Sequence, residues 1–206
     1  GRSAPVNRGF GMLGDQLFMV TLDAHLLSFD RTTGDILWDV ELADYRIGYA
    51  ATVAPLIVDG KVIVGISGGE YPTKGFIDAY DPATGERDWR FYTIPSPDEP
   101  GGDTWPFTGV RERGGGGTWM TGSYDPELNL IYWGTGNPNP DYYGDDRLGD
   151  NLYTASIVAL EADTGTLRWH YQFTPHDMND WDSNHVPVQA DITWGGRPRK
   201  GVMVAN

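Results

Sequence analysis

Two carboxylates that flank one tryptophan, Asp180 and Asp182, form the stretch of this 206-residue chain with the clearest chemical potential. In an extended segment, residues i and i+2 point to the same side, so both carboxylates would face one centre. Two anions held that close repel each other, and the pKa of one rises strongly unless a cation lies between them. The pair therefore predicts a metal site, with a solvated acidic loop as the alternative.

Two further oxygen donors occur at positions where backbone and side chain can approach an ion. Glu70 follows the apolar stretch Lys61 to Ile66 and a Ser-Gly-Gly turn, which places its carboxylate at a predicted strand end. Asn137 precedes a proline, so an extended backbone is favoured. Its amide oxygen is a neutral hard donor that suits ions such as Ca²⁺. The alternatives are a surface glutamate and a turn asparagine.

Other polar stretches carry weaker signals. The run Gly114 to Gly117 leads into Thr118 and Trp119, but no Gly-Lys-Ser/Thr follows, so the pattern is not a phosphate-binding loop. The stretch Asp141 to Asp146 is acidic but lacks the spacing of a calcium-binding EF-hand, which favours a solvated loop. No motif of a Ser-His-acid hydrolase is present.

An internal repeat indicates how these residues are positioned. A Thr-Gly pair is followed, four residues after the glycine, by tryptophan in the stretches Asp30–Trp38, Asp81–Trp89 and Asp163–Trp169. A weaker echo is Tyr124–Trp133. Each copy predicts a strand, a tight turn whose glycine has a positive φ, and a second strand with a large aromatic residue. The tryptophans are expected to be buried between neighbouring units, so that the units stack.

The repeat spacing predicts the fold class. The copies lie 51 and 80 residues apart, close to the length of a four-stranded propeller blade with one insertion. The 28 glycines and 14 prolines are spread evenly, which is typical of many short strands. We expect an all-β fold with three to four propeller blades in one domain spanning residues 1–206. Such an arc leaves open edges, so the domain is expected to be incomplete at both ends.

Composition excludes several classes of function. The net charge of −14 opposes binding to nucleic acids and to anionic membrane surfaces, and favours a bound cation or a basic protein partner. With no cysteine, the chain has no disulfide, thiolate zinc site or CxxCH haem attachment. No apolar stretch is long enough to span a membrane.

Beyond the repeats, four motifs resemble a known enzyme family. They are Ile66–Glu70, Gly116–Trp119, Gly134–Pro138 and Thr174–Asp177. Together with the tryptophan repeats, they resemble the large subunit of pyrroloquinoline quinone (PQQ)-dependent alcohol dehydrogenases of the methanol/ethanol dehydrogenase family, in the family's order and over nearly the whole chain. The resemblance implies an eight-bladed propeller with PQQ and a metal on its axis, of which this chain would form roughly the second to fifth blades, and a periplasmic location.

The resemblance also implies roles for single residues. Glu70 and Asn137 match metal ligands of the family, and Asp180 matches the catalytic aspartate, which also faces the metal. Trp119 matches the tryptophan that forms the floor under the quinone. A further set is expected to bind the cofactor, the first two through its carboxylates: Thr52, Ser67 and Thr118. His176 and Asp177 are interpreted as structural.

Asp182 bears on the identity of the metal. In the family's calcium-dependent members, the position two after the catalytic aspartate is small or uncharged, whereas lanthanide-dependent members have aspartate there. Glu70, Asp180 and Asp182 bring three negative charges, and the quinone has carboxylates of its own. A trivalent cation of high coordination number balances this charge better than Ca²⁺ does. A lanthanide is therefore predicted, with Ca²⁺ as the alternative.

The implied reaction is oxidation of a primary alcohol to an aldehyde. Asp180 would take the hydroxyl proton as general base, and the metal would act as Lewis acid while hydride passes to the quinone. Electrons would leave to a soluble cytochrome c. The family's paired cysteines and active-site arginine have no counterpart in this chain, so alone it is expected to be inactive.

An alternative hypothesis, from a different class of function, is a non-catalytic scaffold built from PQQ-like repeats. Such a scaffold would have no reason to combine Glu70, Asn137, Trp119 and Asp180. The preferred alcohol stays open, as does the choice between a monomer and a homodimer.

Overall fold

The chain folds almost entirely into short antiparallel strands. The structure, a computed structural model, describes residues 6–106 and 108–205. Within these ranges the helical elements are short: α1 (Thr108–Arg111) and two 3-10 turns, Tyr45–Ile47 and Gly102–Thr104. The predicted all-β class is confirmed. No helix in the described ranges has the length and apolar character needed to cross a bilayer.

Three four-stranded sheets follow one another along the chain, each with its strands paired in sequence order. The first contains β1 (Gly11–Leu13), β2 (Gln16–Val20), β3 (His25–Asp30) and β4 (Ile36–Glu41). The second contains β5 (Leu56–Val58), β6 (Lys61–Gly65), β7 (Phe76–Tyr80) and β8 (Arg87–Tyr92). The third contains β9 (Ser123–Asp125), β10 (Leu130–Gly134), β11 (Ser156–Glu161) and β12 (Leu167–Gln172). A two-stranded hairpin follows, β13 (Val188–Trp194) and β14 (Arg197–Met203), so the expected three to four units are present.

The repeated turn joins the third and fourth strand of each sheet. In the second sheet, Oδ1 of Asp81 accepts hydrogen bonds from the amides of Ala83 (2.8 Å) and Thr84 (2.9 Å). Gly85 then adopts a φ of 74°, which a residue with a side chain rarely does. The glycines of the other two copies, Gly34 and Gly165, have φ values of 78° and 69°. All three sheets also show a register shift at the same point of this strand pair.

The repeat tryptophans join neighbouring sheets. Nε1 of Trp38 donates to the carbonyl of Pro82 at 2.9 Å, and its ring lies against Gly85, in the turn of the next sheet. Trp89 donates in the same way to the carbonyl of Ala162 at 3.1 Å. Each of these two tryptophans thus docks on the repeated turn of the next sheet, which explains why the turn and the tryptophan repeat together.

The third repeat tryptophan departs from the prediction of burial. Trp89 is buried and Trp38 half-buried, but Trp169 is 38% exposed and packs on Tyr132, with 5.6 Å between ring centroids. Among residues 6–106 and 108–205, no further Thr-Gly turn follows the third sheet. The burial prediction is therefore wrong for Trp169, because its expected docking partner is not there.

The core lies between the sheets rather than inside one of them. Every residue of β7 is buried, and so is every residue of β11 except the last. Central strands of stacked sheets are covered on both faces, so their burial is continuous instead of alternating. The stacking also fixes the strand ends and loops that carry the candidate site.

One buried ion pair ties the second sheet to the first. The carboxylate of Asp78 is fully buried and accepts from Nε (2.7 Å) and Nη2 (2.6 Å) of Arg90 and from the hydroxyl of Tyr80 (2.7 Å). Nη2 of Arg90 also donates to the carbonyl of Leu42, at the end of the first sheet, at 3.2 Å. The pair therefore fixes the arrangement of two sheets as well as its own strands.

Replacing Asp78 by alanine is expected to lower the free energy of unfolding by about 3–5 kcal/mol, because it leaves the Arg90 charge without a partner in the interior. A matched control is Asp88→Ala, which breaks the surface pair of Asp88 with Lys61 at 2.6 Å and should cost about 0–1 kcal/mol. Urea unfolding of both variants measures the difference. Equal losses would show that Asp78 and Arg90 do not connect the sheets as described.

Candidate functional site

The glycine run before Trp119 lies across the ends of β6 and β7. The amide of Thr118 donates to the carbonyl of Ile66 at 2.7 Å, and its hydroxyl donates to the carbonyl of Phe76 at 2.6 Å. A Cβ at Gly65 would lie 2.0 Å from the Thr118 carbonyl oxygen, so only glycine allows this approach. Thr118 is fully buried, and its hydroxyl is already engaged by the backbone. Its predicted contact with a cofactor stays a prediction.

Trp119 lies beside a polar cluster that contains both predicted hydroxyl residues. Thr52 and Ser67 are buried, with 2.9 Å between their hydroxyl oxygens. Nη1 of Arg8 donates to Oγ1 of Thr52 at 2.7 Å, and the Arg8 guanidinium lies 4.9 Å from the centre of the Trp119 ring. A cation, two hydroxyls and an aromatic face can bind a planar molecule that carries carboxylates. Sequence reasoning missed Arg8, since no motif connects it to Thr52, 44 residues away.

Asn137 is held by groups on both sides. It is 4% exposed, and its backbone amide donates to Oδ1 of Asp182 at 2.8 Å. Its Nδ2 donates to Oδ1 of Asp141 at 2.6 Å and to the carbonyl of Pro138 at 3.2 Å. Its Oδ1 lies 3.5 Å from the position that a Cβ of Gly69 would take. The amide oxygen is therefore directed at the turn that carries Glu70.

Asp182 connects Asn137 with Trp119. Burial raises the pKa of the half-buried Asp182 carboxyl to about 6, and the charges of Asp180 and Glu70 act in the same direction. The hydrogen bond from the amide of Asn137 and the nearby side chain of Trp119 oppose that shift by stabilising the anion. Asp182 thus lies next to both the predicted metal ligand and the predicted quinone floor.

Asp180 takes a different direction from Asp182. Its φ is 59°, in the left-handed region that a non-glycine residue seldom occupies. The side chain is exposed, and the hydroxyl of Tyr142 donates to its Oδ2 at 3.3 Å. The extended backbone on which the alignment of Asp180 with Asp182 was conditioned is not found at Asp180, because the chain turns there. Glu70 is exposed as well.

Asp141 corrects a second expectation. The stretch from Asp141 to Asp146 was expected to be a solvated loop, and Tyr142, Asp145 and Asp146 are indeed exposed. Asp141 is instead half-buried against Asn137. Burial, followed by the negative charges of Asp180 and Glu70, raises its pKa to about 6. An acidic loop residue carries no sequence signal for this, because the burial depends on how the loop folds back.

These oxygen atoms share one neighbourhood without forming a finished metal site. In the described part of the chain, no three acidic or histidine side chains converge closely enough to hold an ion. Nevertheless, Glu70 and Asp180 act electrostatically on both Asp141 and Asp182. Oδ1 of the buried Asn184 has no hydrogen-bond partner. Unbalanced negative charge and spare oxygen acceptors fit a hard cation, so the residues are compatible with the predicted metal.

The loop that carries Asp180 is held in place by hydrogen bonds of His176 and Asp177. His176 places its Nδ1 at 2.9 Å from the carbonyl oxygen of Gly149, which agrees with the structural role expected of it. Asp177 is 1% exposed, and its carboxylate accepts hydrogen bonds from backbone amides of the same loop. Asp180 therefore lies at the tip of an anchored turn.

Comparison with known proteins adds independent findings. A family profile described as the glucose/ethanol/alcohol dehydrogenase β-propeller domain, with PQQ, matches residues 15–206. Quinohemoprotein alcohol dehydrogenase ADH IIB of Pseudomonas putida is 43% identical over 213 residues, which cover 97% of this chain and 31% of that protein. The lanthanide-dependent methanol dehydrogenase of Methylacidiphilum fumariolicum (strain SolV) is 39% identical over 210 residues, covering 93% and 34%.

A solved structure described as a europium-containing methanol dehydrogenase superimposes with a TM-score of 0.90 and 37% identity, covering 97% of this chain and 38% of that one. The chain spans about a third of the length of the curated relatives it matches.

Proposed function

Because the chain belongs to the PQQ-dependent glucose, ethanol and alcohol dehydrogenases that share a β-propeller domain, we propose that it forms part of the active site of an enzyme that oxidises a primary alcohol to its aldehyde. The observation that carries this proposal is the hydrogen bond from the backbone amide of Asn137 to Oδ1 of Asp182 at 2.8 Å, next to the Trp119 side chain. It brings the predicted metal ligand to the predicted quinone floor, although 45 residues separate Asn137 from Asp182.

The residues of this chain would divide the work as follows. When bound, PQQ supplies the two-electron acceptor and the metal supplies Lewis acidity. Trp119 offers an aromatic face, and the cluster of Arg8, Thr52 and Ser67 offers hydrogen bonds to carboxylates. Asp180 is exposed and lies near Asp182, so a substrate hydroxyl can reach it and give up its proton.

We assign the metal to the lanthanides, with Glu70, Asn137, Asp180 and Asp182 as the ligands. A ligand set of three carboxylates and one neutral amide oxygen suits a trivalent hard ion, and Asp141 adds a fourth negative charge next to Asn137. Two of the similar proteins are described as lanthanide-dependent and europium-containing methanol dehydrogenases, which supports the assignment. Ca²⁺ is the alternative.

The proposal extends to the whole protein. This chain would be one arc of a longer, eight-bladed propeller located in the periplasm, and its exposed Trp169 would dock on the next blade. Electrons would pass to a soluble cytochrome c, for which a net charge of −14 offers electrostatic attraction if the cytochrome is basic.

The experiment that tests the proposal is reconstitution of the full-length protein. After removal of metal by chelation, PQQ is added alone, with Ca²⁺ and with La³⁺, and both the bound quinone absorbance and dye-linked alcohol oxidation are followed. Quinone binding and activity are expected only when a metal is present, and more strongly with La³⁺. If neither metal produces bound PQQ, the proposed function is wrong.

A further inference from the structure

We propose that Asp177 is a positioning residue that holds Asp180 in its left-handed backbone conformation and thereby sets the direction of the base. This inference rests on the proposed function, because it assigns Asp180 the role of base. Asp177 lies three residues before Asp180 and is 1% exposed, so it does not face solvent as Asp180 does. Its effect would be transmitted through the backbone.

The carboxylate of Asp177 binds the amides on both sides of Asp180. Oδ1 accepts from the amide of Asn179 at 2.9 Å, and Oδ2 accepts from the amide of Trp181 at 2.8 Å. The two oxygens of one buried carboxylate thus fix the two peptide units that flank residue 180. Hydrogen bonds to an ionised acceptor are roughly twice as strong as neutral ones, so this arrangement can maintain an unfavourable φ.

Asp180 needs such support because its own contacts are weak. A non-glycine residue at a φ of 59° carries strain that the surrounding structure must offset. Its side chain is exposed, and the hydrogen bond from Tyr142 is long, at 3.3 Å, from a side chain that is itself 72% exposed. The direction of the carboxylate is therefore set mainly by the backbone, and the backbone is held by Asp177.

Asp177 is anchored in turn by Arg147. The guanidinium of Arg147 is fully buried and donates to the carbonyl oxygen of Asp177, to that of Pro140 at 2.9 Å and to Oδ1 of Asn151 at 2.9 Å. These acceptors are neutral, so the positive charge has no directly bonded carboxylate there. Arg147 thus fixes the position of Asp177.

The hold of Asp177 on residue 180 matters for proton transfer, since a general base must lie within hydrogen-bond distance of the proton it removes. Displacement by about 1 Å can lower a rate about a hundredfold. If Asp177 fails to hold residue 180, a bound alcohol would meet a base that is present but misplaced. The rate of the chemical step would fall, while binding of the alcohol would change little.

The test uses Asp177→Asn in the full-length enzyme loaded with PQQ and metal. Asparagine keeps the size of the side chain but replaces one acceptor oxygen with an NH₂ donor, so one flanking amide loses its partner. Asp81→Asn is the matched control, because Asp81 also binds two backbone amides but uses a single oxygen that asparagine retains. For Asp177→Asn we expect kcat per bound PQQ to fall on the order of tenfold and KM to stay within about threefold.

Thermal midpoint and PQQ content complete the readout, since a purely structural residue would lower both without changing kcat per bound PQQ. An Asp177→Asn enzyme with kcat per bound PQQ equal to that of Asp81→Asn would overturn the inference. Failure of Asp177→Asn to fold, where Asp81→Asn folds, would also overturn it, by making Asp177 a folding residue. If the unmodified enzyme binds no PQQ, the proposed function is wrong. If it binds PQQ but Asp177→Asn leaves kcat unchanged, only the positioning role of Asp177 is wrong.

Discussion

Replacing Asp180 by asparagine is expected to lower kcat by about two to four orders of magnitude in the full-length enzyme, which is the usual contribution of a positioned general base. Asparagine has nearly the same shape and also tolerates a left-handed backbone, so the turn at residue 180 should remain. What is lost is the group that accepts the alcohol proton. Dye-linked alcohol oxidation, expressed per molecule of bound PQQ, measures the effect.

Because Asp180 is also proposed as a metal ligand, metal content must be measured alongside the rate. The rate of Asp180→Asn should remain low when La³⁺ is raised until the PQQ content equals that of the unmodified enzyme. Asp145→Asn, an exposed aspartate on a nearby loop, serves as control and should leave kcat unchanged. A fully active Asp180→Asn enzyme would require another base.

Replacing Asp182 by alanine is expected to lower La³⁺-supported alcohol oxidation by about a hundredfold, the upper range for loss of metal-site support. The change removes one of three carboxylates from the proposed ligand set. It also leaves the amide of Asn137 without the acceptor at 2.8 Å and removes the carboxylate next to the Trp119 side chain. Metal and quinone binding should therefore weaken together, which europium luminescence and PQQ absorbance can follow separately.

Asp182→Asn separates charge from hydrogen bonding. Asparagine can still accept the Asn137 amide proton, but it brings no negative charge. If charge selects the metal, Asp182→Asn should lose La³⁺ affinity while affinity for Ca²⁺ falls less. La³⁺ activity that is unchanged in both variants would remove the lanthanide assignment.

The architecture could be predicted because its signals are local. A Thr-Gly turn and a tryptophan four residues later lie within one hairpin, and the partner of Trp38 is the same turn in the next copy. Wherever the pattern recurs, its packing recurs. Trp169 shows the limit of this reasoning, since a repeat predicts burial only where the next copy is present.

The candidate site could be predicted only in part, because its residues come from distant segments. The types of Glu70, Asn137 and Asp182 indicated oxygen ligands, and the structure places them in one neighbourhood. The involvement of Arg8 and Asp141 follows from tertiary contacts that no spacing in the sequence reveals.

The left-handed conformation of Asp180 was equally invisible in the sequence. It depends on the buried carboxylate of Asp177, which binds the amides on both sides. A residue of the same type in a free loop would adopt an ordinary conformation.

Because each tryptophan docks on a turn that follows it in the sequence, the sheets can pack on one another only in the order in which they are translated. Trp38 finds its acceptor only after Pro82 has left the ribosome, and Trp89 only after Ala162 has. Each sheet is therefore completed by residues translated later, and a nascent chain exposes one unsatisfied indole at its growing end until the next unit emerges.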